Sequence, residues 1–170
     1  MIDITARLHS RENTAHFSSA EPITHPGHQS EKSSGALVLV VEDHPATQNV
    51  LSSVLDLQGY QVACAANGQE ALLWLDAALQ MGQRPAIILL DLFMPVMNGA
   101  DFLAGMRARW PGTLPLPPVI LSTVDQGNHD DLACAEVLPK PFHIRDLLAK
   151  LKLVLEQTYG GNYSAQAQTS

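Results

Sequence analysis

Cysteines, basic residues and long apolar runs are all scarce in this chain, and each shortage closes off a class of function. Cys64 and Cys134 are the only cysteines. Two thiols so far apart cannot build a disulfide framework or a zinc knuckle. Both are expected to be small buried hydrophobes. No apolar run approaches the ~20 residues that span a bilayer. The N-terminus also lacks the apolar centre of a secretory signal, so a cytoplasmic protein is expected. Lys and Arg total 10 against 17 Asp and Glu, giving a net charge of −7. Without a basic stripe, neither nucleic acid nor an anionic membrane surface is expected as a partner. Phosphate-cradling glycine loops of the Gly-x-x-x-x-Gly-Lys-Ser/Thr and Gly-x-Gly-x-x-Gly kinds are missing too, which argues against a nucleotide site.

What is present is a regular alternation of period. Hydrophobic residues make up 46% of the 170, enough to fill one domain core. Residues 1–35 are polar and aperiodic, and read as a disordered arm. Four of the seven histidines fall there (His9, His16, His25 and His28) at spacings that match no metal template. Residues 36–157 form the folded domain, and residues 158–170 a flexible tail. Within the domain, short apolar runs at Leu37–Val41, Tyr60–Cys64, Ala86–Leu90, Val119–Leu121 and Glu136–Leu138 read as strands buried on both faces. Helical patterns lie between them. Pro45 opens the first helix and Gly59 closes it, with Val50, Leu51, Val54 and Leu55 on its apolar face. Asn67 and Glu70 form a capping box for the second. The third runs from Ala100 to about Trp110, and the last covers Ile144–Leu155. Between Asp125 and Ala133 there is room for a short helix at most. Trp74 and Trp110 fall at helical spacing and read as packing residues. The pattern predicts a (βα)5 α/β fold: a doubly wound, parallel five-stranded sheet of the flavodoxin-like kind.

Four of the strands stop at polar residues: Glu42-Asp43, Asp91, Ser122 and Lys140. Strand carboxyl ends share one edge of an open parallel sheet, where ligands bind. Three carboxylates brought together repel one another unless they share a cation. Their hard oxygens suit Mg2+, which keeps waters and a phosphate oxygen in its shell. Lys140 stands between Pro139 and Pro141, on backbone stiff enough to aim its ammonium at the acids and offset phosphoryl charge. Taken singly, these could be strand-end acids, a surface lysine and a common strand-end serine. Their joint placement argues for a site. His44, just before Pro45, reads as a helix-entry residue rather than a ligand.

Residues 36–157 resemble the receiver domain of two-component response regulators (CheY-like). The resemblance rests on Val-Val-Glu-Asp at 40–43, Leu-Leu-Asp-Leu-Phe-Met-Pro-Val-Met-Asn-Gly at 89–99 and Leu-Pro-Lys-Pro-Phe at 138–142. It implies that Asp91 is the phospho-acceptor. The donor would be a phosphohistidine on a histidine kinase or histidine phosphotransfer protein. Asp43, Asp91 and the backbone carbonyl of Phe93 would hold Mg2+, with Glu42 acting through a bound water. Ser122 and Lys140 would contact phosphoryl oxygens. The implied protein is a switch rather than an enzyme, with self-dephosphorylation as its one catalytic property.

Three departures from the family pattern stand out. Val137 replaces the usual aromatic residue, and the stretch from Ser122 to Lys140 is short, so the fourth helix is abbreviated. Phe93 and Val124 also put apolar groups where polar ones are frequent, which predicts an altered aspartyl-phosphate lifetime. No helix-turn-helix or enzyme module is expected beside it. The expectation is therefore a stand-alone regulator that signals by contact with a downstream protein. The alternatives are a phosphoryl shuttle or sink in a relay, and a pseudo-receiver interaction module that is not phosphorylated. A haloacid-dehalogenase-type phosphatase would need Asp-x-Asp after its first strand, but Asp91 is followed by Leu92-Phe93.

Overall fold

Five parallel strands form one sheet in the spatial order Gln61–Ala65, Leu37–Val41, Ile87–Asp91, Val119–Thr123 and Glu136–Pro139. The computed structural model describes residues 35–125, 132 and 136–160. Its elements are β1 (Leu37–Val41), α1 (Pro45–Leu57), β2 (Gln61–Ala65), α2 (Gly68–Gln80), β3 (Ile87–Asp91), α3 (Gly99–Arg109), β4 (Val119–Thr123), β5 (Glu136–Pro139) and α4 (Ile144–Tyr159). This is the doubly wound, flavodoxin-like arrangement that the alternation of periods predicts. The expected arm, most of the short fourth crossover, Cys134 and the residues from 161 onward lie outside the described residues. The last helix runs to Tyr159, past the expected 157 boundary.

Alternation along each strand builds two separate cores. Val38, Val40, Ile87, Leu89, Ile120 and Leu138 meet Leu51 and Leu55 of α1 and Leu147 and Leu151 of α4. The intervening Leu39, Val41, Ile88, Leu90 and Leu121 meet Leu72 and Leu75 of α2 and Phe102 and Met106 of α3. Each fully buried Leu or Ile side chain contributes roughly 1.5–3 kcal/mol. β3 is buried at all five positions because it is the middle strand. Trp74 and Trp110 pack against the α2–α3 core, as their spacing predicts.

The helix starts are set locally. Pro45 occupies the first turn of α1, and His44 caps it through Nδ1, 3.4 Å from the Thr47 N–H. His44 is thus a helix-entry residue. Asn67 caps α2 by accepting from Glu70 N–H at 2.9 Å, and Glu70 reaches back to Ala66 N–H at 3.0 Å. Asn98 caps α3 through Asp101 N–H at 2.9 Å.

Two sequence expectations are corrected. Cys64 is exposed rather than buried, because β2 is an edge strand with only Ala65 fully covered. Val50 is also exposed, so the buried stripe of α1 narrows to Leu51 and Leu55.

Candidate phosphoryl-acceptor site

Strand register brings the polar strand ends together. Asp91 stands directly opposite Ser122 in the β3–β4 ladder, and Leu92 N–H donates to the Ser122 carbonyl at 3.2 Å. Lys140 follows β5, and its N–H donates to the Thr123 carbonyl at 2.8 Å. Glu42 follows β1 and donates its N–H to the Ala65 carbonyl at 3.1 Å. Glu42, Asp43 and Asp91 each present an oxygen within 4.8 Å of the others. Asp91, Glu42 and Ser122 are buried, and Asp43 is half-buried.

Lys140 ties the cluster together. Its Nζ donates to Asp91 Oδ2 at 2.6 Å and to Glu42 Oε2 at 2.9 Å. The resemblance alone would put Glu42 behind a metal-bound water, whereas here it meets the ammonium directly. Burial alone would lower the Lys140 pKa, but hydrogen bonds to Asp91 and Glu42 outweigh it and hold the pKa above the ordinary 10.5. A folded pKa above the unfolded one gives stability that is complete below pH 10.5 and is lost as pH rises through the folded value. In urea titrations across the alkaline range, the wild type is expected to lose this contribution only above pH 10.5. A Lys140→Met variant is expected to lack that step.

The loop after β3 packs closely against Asp91. Phe93 N–H donates to Asp91 Oδ1 at 3.2 Å. Gly99 N–H donates to the Leu92 carbonyl at 2.9 Å, and a Cβ on Gly99 would sit 2.6 Å from the Asp91 carbonyl oxygen. Only glycine permits that approach. Val96 has a φ of 69°, and Met97 N–H bonds back to the Pro95 carbonyl at 2.8 Å. That is a γ-turn of the rare, strained kind, unusual for a β-branched residue.

Ser122 Oγ is buried and has no hydrogen-bond partner among the described residues. A buried hydroxyl left unpaired costs about 1–3 kcal/mol, so its position beside Asp91 marks a place for a ligand oxygen. The Phe93 carbonyl accepts no backbone hydrogen bond among the described residues. Phe93, Val96 and Val124 stand exposed in the loops that follow β3 and β4. Gln48 joins the site without any sequence signal: its Nε2 donates to the Glu42 and Ala65 carbonyls at 3.1 and 3.0 Å.

The sequence profile described as "Response regulator receiver domain" matches residues 38–152. This chain belongs to the response-regulator receiver family. The transcriptional regulatory protein CpxR of Klebsiella pneumoniae is 31% identical over 138 residues, covering 78% of this chain and 53% of the relative. The chain spans about half the length of the curated relatives it matches. Among solved structures, the chemotaxis protein CheY4 of Vibrio cholerae has a TM-score of 0.61 at 29% identity, covering 71% of this chain and 99% of its own. The receiver domain of the sensor histidine kinase PA1611 of Pseudomonas aeruginosa has a TM-score of 0.59 at 30% identity, covering 73% and 97%. That structure is described with a magnesium ion coordinated in its active-site cleft. Receiver domains are phospho-acceptor switches that work with histidine kinases. No helix among the described residues is long and apolar enough to cross a membrane.

Proposed function

We propose that this receiver takes a phosphoryl group on Asp91 from a phosphohistidine of a histidine kinase or phosphotransfer protein. The observation that carries this reading is the buried, unpartnered Ser122 hydroxyl beside an acid already bound by Lys140. Asp91 supplies the nucleophilic oxygen. The phosphorus–nitrogen bond of the donor breaks as an acyl phosphate forms, and the imidazole leaves. Phe93 N–H and Lys140 orient the Asp91 carboxylate before the donor arrives. During the transfer Lys140 offsets charge on the phosphoryl oxygens and Ser122 donates a hydrogen bond to one of them.

The acid trio fits Mg2+. Asp43, Asp91 and the Phe93 carbonyl would hold it, with Glu42 behind a bound water. When present, the ion neutralises charge that develops on the transferring group.

The test is incubation with acetyl phosphate or a labelled phosphohistidine donor, with and without Mg2+, beside Asp91→Asn. A Mg2+-dependent, hydroxylamine-labile label on the wild type alone is the expected result. No label from any donor would leave the second reading, an interaction module that is not phosphorylated. That reading draws on Val137, which supplies no aromatic ring to relay the change.

Signalling by protein contact, as a stand-alone regulator or a relay shuttle, is the output we infer. The matched region covers only about half of the relatives named as transcriptional regulators, so an output through DNA belongs to the comparison as well. Self-dephosphorylation is set by the loops around the site. Phe93 offers no hydrogen bond to an attacking water, whereas an amide there could orient one. Phe93→Asn is therefore expected to speed loss of the phosphoryl group by roughly tenfold, a small part of the ~10²–10⁴ that a placed acid–base group supplies. An unchanged decay of labelled protein would refute a role for Phe93 in water access.

A further inference from the structure

Gln48 lies in the first turns of α1 and is half-buried. Its side-chain amide points at two carbonyls, Glu42 O at 3.1 Å and Ala65 O at 3.0 Å. Both partners are acceptors, so the amide spends both of its N–H donors on them.

The reason for this contact lies in the β1–β2 ladder. Glu42 N–H donates to the Ala65 carbonyl. In a parallel ladder the Glu42 carbonyl would next accept from the N–H two residues past Ala65. That residue is Asn67, and it has already turned aside to cap α2. β2 therefore stops one donor short, and the Gln48 amide takes its place.

The carbonyl so held belongs to the peptide that joins Glu42 to Asp43. The Glu42 and Asp91 carboxylates are tied to Lys140. The Asp43 carboxylate has no side-chain hydrogen bond among the described residues, so its position depends on its backbone. We infer that Gln48 is a positioning residue for the acid cluster: it locks the Glu42–Asp43 peptide and through it aims the Asp43 carboxylate. The direction of its effect rests on the reading of this cluster as a Mg2+ site. Removing an outer partner of a metal-binding carboxylate typically costs 10–100-fold in affinity.

The test uses the whole chain. Calorimetric titration with MgCl2 is run on the wild type, Gln48→Met and Gln48→Asn, beside thermal unfolding of each in EDTA. Methionine keeps the length and removes both donors; asparagine keeps the amide but falls one methylene short. Both are expected to bind Mg2+ about tenfold more weakly at a temperature where all three proteins are folded. Unchanged affinity in both variants, with or without a lower Tm, would overturn the positioning role. A wild type that binds no Mg2+ would overturn the metal reading instead, and the two failures are distinguishable in one experiment.

Discussion

A Lys140→Met variant is expected to form acyl phosphate on the order of 10²–10³-fold more slowly than the wild type, the usual loss when one preorganised charge-stabilising donor is removed. The cause is geometric: Lys140 Nζ is within 2.6 Å of Asp91 Oδ2 and 2.9 Å of Glu42 Oε2. It touches Asp91, the proposed nucleophile, before any donor arrives and needs little movement to meet a phosphoryl oxygen. The same change is expected to destabilise the fold in EDTA. Breaking a buried pair costs ~3–5 kcal/mol. Here about 2 kcal/mol is expected, because 20% of the Lys140 side chain is exposed. Urea unfolding measures the second effect and acetyl-phosphate labelling the first. Equal labelling rates would sink the role given to Lys140 in transfer.

Asp43→Asn is expected to act in two opposite directions. It removes one of three carboxylates whose oxygens lie within 4.8 Å of one another, around a single ammonium. Two like charges at that distance repel by roughly 3 kcal/mol at an effective dielectric near 20. Partial exposure of Asp43 and the nearby Lys140 reduce the relief to roughly 1 kcal/mol. In EDTA the variant is therefore expected to melt higher than the wild type. In millimolar Mg2+ the order is expected to reverse, because only the wild type gains stability by binding the ion. Such exchanges of stability for function are common at active sites. Melting curves in the two buffers decide it. A variant that melts below the wild type in EDTA would show that the acids do not strain one another.

The fold was legible because its strands are short, wholly apolar runs that end in polar residues. Asp91, Ser122 and Lys140 could be placed on one edge from this alone, and register then puts Asp91 opposite Ser122. Position within the sheet was harder to see. Val62-Ala63-Cys64-Ala65 looks as apolar as a central strand, yet β2 lies on the edge and leaves Cys64 exposed. That Lys140 turns toward the acids was legible, but that Glu42 shares it with Asp91 was not. The Lys140–Glu42 bond depends on a lysine side chain reaching from the end of β5 past two intervening strands, and no local pattern records such a reach. Gln48 was silent for a similar reason. A glutamine near a helix start is ordinary; its role comes from β2 ending early, a property of a different segment.

The two cores of alternating residues have a consequence for how faithfully the site is made. Sliding β4 by one residue against β3 would send Ile120 to the wrong face and Val119 and Leu121 to the other. It would also put Thr123 or Leu121 opposite Asp91 in place of Ser122. A mispaired molecule would thus fail in packing before it could fail in chemistry. Against a slip of one residue the site needs no separate proofreading, because such a copy cannot close both cores.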